Sequence, residues 1–89
     1  METMKLTLTG HDEAGVEVYR SYFLVTDGGS MAGRGRASVI PMTGAAPMPD
    51  TDHVEVREGG EEHAIAELVE RLTALPGNRG LVAQLSTPT

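Results

Sequence analysis

Residues 26 to 39, TDGGSMAGRGRASV, combine glycines with two arginines, the residue types that cradle and grip phosphate. A phosphate loop of the GxxxxGK[ST] kind needs Lys and then Ser or Thr after its last glycine. It also needs a helix directly behind, whose N–H groups point at the anion. Gly28 and Gly33 have the right separation, but Arg34 and Gly35 occupy the other two positions, and the strand-like Ala37-Ser38-Val39-Ile40 follows. The dinucleotide version fails in the same way, because Gly33 and Gly35 would require glycine or alanine at position 38, which is Ser38. The run therefore reads as a connection between strands. Asp27-Gly28-Gly29-Ser30 would make the turn, and Gly33 and Gly35 would mark a bulge or a wide loop. An alternative reading is that Arg34 and Arg36 project from the loop and hold an acidic or phosphorylated partner through bidentate contacts.

The remaining reactive side chains do not fall into known spacings. Asp50, Asp52 and His53 cluster, but a calcium loop requires Asp or Asn at position 54 and Gly at position 55, where Val54 and Glu55 stand. His11-Asp12-Glu13 and Glu61-Glu62-His63 are runs of neighbours, which point in different directions on a strand or helix and cannot chelate one ion unaided. Ser30, His53 and Asp52 are the parts of a hydrolase triad without its GxSxG elbow. No spacing singles out a carboxylate pair among the 13 acids. No catalytic residue, cofactor or metal ligand is assigned.

These side chains must be positioned by one small domain, since 89 residues leave nothing for a second core. Only 3% of residues are aromatic, so burial rests on aliphatic side chains, with the five methionines as core and loop filler. Such a domain is worth about 4 to 13 kcal/mol. Pairing with a second copy would add to that, and a homodimer is expected. The absence of cysteine excludes a disulfide framework, and no apolar run has the length of a signal peptide or membrane span, which points to the cytoplasm. The formal charge is −6, most of it in the second half of the chain. A net acidic domain has the wrong field for nucleic acid. The acid excess serves solubility, or it forms a surface with Glu55, Glu58, Glu61 and Glu62 that meets a basic partner.

Met4, Leu6 and Leu8 alternate with Lys5, Thr7 and Thr9, which predicts a strand over 3–9 with one buried face. A turn follows, then a longer strand over 16–26 that completes a hairpin. Arg20 falls on its apolar face, so a bulge nearby or an outward-reaching arginine is expected. Residues 36–42 form a third strand, with Pro41 at an edge or strand end. Residues 43–52 form a loop. A fourth strand over 53–58 turns Val54 and Val56 inward. The stripe Ile65, Leu68, Val69, Leu72 and Leu75 predicts a helix over 61–75, with Glu61 and Glu62 in its first turn and Pro76-Gly77 ending it. A last strand spans 81–86. The order β-β-β-β-α-β predicts an α+β fold: a two-layer, mostly antiparallel sheet of four to five strands with one amphipathic helix on one face. A crossover through the helix would set the last strand parallel to the fourth and make the sheet mixed.

His11-Asp12, followed by Gly33-Arg34-Gly35-Arg36-Ala37 and Pro41, resembles small actinobacterial proteins of unknown function whose fold is like the double-stranded-RNA-binding domain. The resemblance covers residues 4 to 41 and the helix. It implies a three-stranded sheet with a packed helix, and it implies no activity.

Three functional readings follow. The first is a non-enzymatic interaction or accessory module that binds another protein, or a second copy of itself, through a sheet edge or the Arg34/Arg36 loop, with no nucleic-acid or membrane partner. The second is an acidic inhibitor or decoy that imitates nucleic-acid phosphates and occupies a basic cleft of a host enzyme. The third is a small-ligand binder or enzyme with a pocket between helix and sheet. The helix stripe is expected to leave little space for such a pocket.

Overall fold

The computed structural model describes residues 2–30, 34–42, 44, 46–57 and 60–87. Five strands and one long helix follow in the predicted order: β1 (Glu2–His11), β2 (Glu17–Ser30), β3 (Arg34–Pro41), β4 (His53–Arg57), α1 (Glu61–Ala74) and β5 (Val82–Ser86). The strands form a single sheet in the order β4-β3-β2-β1-β5, and the chain is an α+β fold. β1 to β3 are the central strands, flanked by β4 on one side and β5 on the other.

Every neighbouring pair is antiparallel. The expectation of a mixed sheet is therefore corrected. β4 and β5 do run in the same direction, but they lie on opposite edges with three strands between them, so no parallel ladder forms.

The β1–β2 hairpin closes at residues 12–16. Asp12 Oδ1 accepts from the backbone N–H of Ala14 and of Val16, both at 2.9 Å. Gly15 supplies the positive φ of 78° that the turn requires. From Glu2↔Thr26 to His11↔Glu17 the register runs without a shift, so no bulge accompanies Arg20.

The glycine-rich connection differs from expectation. β2 continues through Asp27 to Ser30, and Ser30 pairs with Arg34, so Asp27 to Ser30 belong to the strand, and residues 31–33 lie outside the described residues. The register shift falls between Asp27 and Ser30, which sets Gly28 and Gly29 against the single residue Gly35. The bulge is thus on β2, two residues opposing one, where glycine relieves the strain of the extra residue. No helix follows the glycines. β3 begins at Arg34, in keeping with a connection between strands.

One face of the sheet carries the core. Leu6 and Leu8 of β1, Tyr22 and Leu24 of β2, Ala37 and Val39 of β3, and Val54 and Val56 of β4 are all buried, and α1 packs on the β2–β4 part of this face. Of the methionines, Met4 and Met48 pack against this core, whereas Met42 is exposed. α1 starts at Gly60 with no side-chain cap, so the first-turn carboxylates of Glu61 and Glu62 are its complement to the helix dipole. Glu67 and Arg71 form the expected i, i+4 pair at 3.3 Å. Leu75 is extended, and Pro76–Asn78 form a 3-10 turn that leads toward β5.

A buried polar cluster fixes the far end of α1. Asn78 donates through Nδ2 to the Leu72 carbonyl at 2.8 Å and to the Tyr22 hydroxyl at 3.2 Å. Tyr22 in turn donates to the Pro47 carbonyl at 2.8 Å. Arg20 donates to the Gly77 carbonyl and to Asn78 Oδ1. The arginine on the apolar face of β2 thus reaches over the core and ties the helix C-terminus and the loop to the sheet.

Candidate functional site

The helical stripe is divided in space. Ala64, Leu68 and Leu72 are buried against β2, β3 and β4, while Ile65 and Val69, one position further round, are only half-buried. They face a groove of about 720 Å³ between α1 and the β1–β5 half of the sheet. α1 supplies one wall through Ile65, Ala66, Val69 and Thr73. β1 and β5 supply the floor through Met4, Leu6, Ala83 and Leu85, and Glu61, Glu62 and Glu70 stand at the rim. The expectation that the helix fills the space above the sheet is not met, because strand spacing and helix width do not match. Neighbouring strands lie about 4.8 Å apart and a helix is about 10 Å across, so one helix covers about two or three of five strands.

The chemistry of the groove is apolar. Its hydroxyl, Thr73 Oγ1, is already committed to the carbonyls of Val69 and Glu70 at 3.0 and 3.1 Å. A small polar ligand is oriented by a few convergent polar groups, and the described floor offers none.

The residues singled out from the sequence fall in three places. Arg36 and Glu55 are register partners on the opposite, open face of the sheet, with Asp27 on the other side of Arg36. Glu61 and Glu62 stand at the groove rim instead. Glu58 and the side chain of Arg34 lie outside the described residues. The acids expected to form one surface are therefore split between the two faces of the sheet. Asp52 and His53 do meet, with Nδ1 and Oδ1 3.1 Å apart. Ser30 pairs with Arg34, however, and His53 with Ser38, about 13 Å further along the strands, so no triad assembles. Among the described residues, no three of His, Cys, Asp and Glu come together in a way that would hold a metal ion.

The exposed apolar residues of the open face were not singled out in the sequence. Tyr19, Ile40 and Val82 are 58%, 50% and 68% exposed there. Beneath them the Ser21 hydroxyl is buried without a hydrogen-bond partner. It still lies close enough to the Tyr19 phenol, together with the Lys5 ammonium, to favour phenolate and hold Tyr19 below the ordinary value of 10.0. Among the described residues, no helix is long and apolar enough to cross a membrane.

Compared with known proteins, the chain matches no family model, no curated protein and no solved structure.

Proposed function

We propose that the chain is a non-enzymatic protein-interaction module of the cytoplasm whose binding surface is the groove between α1 and the β1–β5 half of the sheet. One observation carries this reading: two of the five stripe residues, Ile65 and Val69, pack only partly on the core and also line an unfilled apolar trough. Exposed apolar area of this shape is costly to leave in water and marks interaction sites. The lining supports a macromolecular partner over a small metabolite, since the polar groups at the trough are rim carboxylates and a satisfied threonine. Site-specific photocrosslinking in the native host tests it, with the crosslinker at Ala66 or Leu85 and, as comparison, at Glu55 on the open face. Adducts formed at Ala66 and Leu85 but not at Glu55 are expected. Adducts formed only from Glu55 would overturn the assignment.

Self-association is a second reading, favoured by the exposed Tyr19, Ile40 and Val82 on the open face. Two such faces would stack as sheet on sheet at about 10 Å. Light scattering should then report a dimer that Ile40→Glu dissociates and Ala66→Trp does not. A monomer across the micromolar range removes this reading and leaves the groove untouched.

A further inference from the structure

We propose that the groove accepts a cationic amphipathic helix from a partner protein; this rests on the groove being the binding surface and names its occupant. The dimensions select a helix. β1 and β5 together span about the 10 Å of one helix, and α1, of 14 residues, makes a wall about 21 Å long. A second helix laid beside α1 on these strands would complete the upper layer of the sandwich. Ala66 on the wall and Ala83 on the floor are small enough to admit an axis at the usual 8 to 10 Å from α1. Met4, Leu85, Ile65 and Val69 would meet apolar residues at the i, i+3, i+4 and i+7 positions of the incoming helix, the helix-in-groove mode of recognition.

The charge selects a cation. The described lining residues include three carboxylates, Glu61, Glu62 and Glu70, and no Lys, Arg or His, in a chain whose formal charge is −6. Lys5, the base on β1, is at an odd register position and points to the other face, opposite Phe23 rather than α1. On the β5 side the neighbours of Ala83 and Leu85 are Val82, Gln84 and Ser86, all uncharged. A second copy of this chain is a poor occupant. Its own apolar stripe carries Glu62 and Glu70 beside Ile65 and Val69, so docking it here sets carboxylates against carboxylates. An incoming helix with Lys or Arg flanking its apolar face meets opposite charge on the α1 side and no charge on the β5 side. Such rim pairs favour the right partner and the rate of encounter more than they add affinity.

A displayed library of amphipathic helices of about 18 residues, a little longer than α1, tests the proposal. The apolar stripe is drawn from aliphatic residues and Phe, and the flanks from Lys, Arg, Glu and Gln. Helices are selected on the intact chain and counter-selected on Ala66→Trp, which fills the trough from an exposed helix position and leaves the core alone. Enrichment of Lys and Arg in the flanks, with affinity that falls as salt rises, is the expected result. A synthesised winner should shift the amide resonances of residues 65, 66, 69 and 85, and Glu62→Lys with Glu70→Lys should weaken it about tenfold. Winners with neutral or acidic flanks overturn the cationic partner and leave the groove as the binding surface. No winner that distinguishes the intact chain from Ala66→Trp overturns both.

Discussion

Replacing Asn78 with Ala should cost this small domain a large share of its stability. Asn78 is 1% exposed, and its side chain joins the helix carbonyl of Leu72, the hydroxyl of Tyr22 and the guanidinium of Arg20. Truncation leaves Tyr22 with its bond to Pro47 and Arg20 with its bond to Gly77. The Leu72 carbonyl, near the last turn of α1, loses a buried donor. An unsatisfied buried acceptor costs about 1–3 kcal/mol, and the lost charge-assisted bond to Arg20 adds to it, so the total is about 2–4 kcal/mol. For a domain of this size that is a fall in Tm of about 10–30 °C. Urea and thermal denaturation followed by circular dichroism measure it. A double-mutant cycle with Arg20→Ala should return a coupling of about 1 kcal/mol or more between the two side chains. A change within about 0.5 kcal/mol for Asn78→Ala, the level of an ordinary surface substitution, would refute the clamp.

Three further outcomes follow from the geometry. Leu68→Ala should lose about 2–5 kcal/mol because Leu68 is fully buried, whereas Ile65→Ala should lose well under half of that if Ile65 faces the groove; equal losses by chemical denaturation would place both in the core. Tyr19 should ionise below 10.0 in an alkaline absorbance titration, and Lys5→Gln should move it upward, because Ser21 first and Lys5 second favour the phenolate. A depressed folded pKa stabilises only above the unfolded value and is lost as pH falls through the folded one, so the same variant should leave stability at pH 7 unchanged within about 0.5 kcal/mol. ATP, GTP and NAD at millimolar concentration should give no thermal shift, and Arg36→Ala should change stability by less than about 0.5 kcal/mol; a nucleotide shift abolished by Arg36→Ala would restore a phosphate site at the glycine run.

Local patterns carried the fold because each element has a short-range signature. Alternation in Met4 to Thr9 and in His53 to Arg57, and the stripe in Ile65 to Leu75, placed strands and helix within a few residues of their observed ends. What local patterns do not contain is distance across the sheet. The pairing of β5 with β1 rather than β4 depends on which edge is free after β1 to β4 have formed a meander, and no residue of Val82 to Ser86 encodes that. The groove was equally hidden, since Ile65 and Leu68 are both apolar and only the lateral position of α1 separates them. One signal was available. Arg20, an arginine at an apolar register position, needed an acceptor far along the chain, and the Pro-Gly-Asn after the helix supplies two, the Gly77 carbonyl and Asn78 Oδ1.

The off-centre seat of α1 is a consequence of connectivity rather than of imperfect packing. Three residues, 58–60, separate the end of β4 from the start of the helix. The Gly60 N–H donates to the Arg57 carbonyl at 2.8 Å, so the chain turns directly from the β4 edge into the helix. β1 and β5 lie three and four spacings away. At the other end the clamp of Asn78 and Arg20 holds the last turn over β2, and the residues from Leu75 to Leu81 then cross to the far edge alone, without a helix to cover what they pass. The turn and the clamp together hold α1 away from Met4, Ala83 and Leu85. The trough is thus bounded by a helix that is bonded at both ends, to Arg57 at its start and through Asn78 at its last turn. Preformed sites lose less conformational freedom on binding, so a partner helix would meet a surface already in its bound shape.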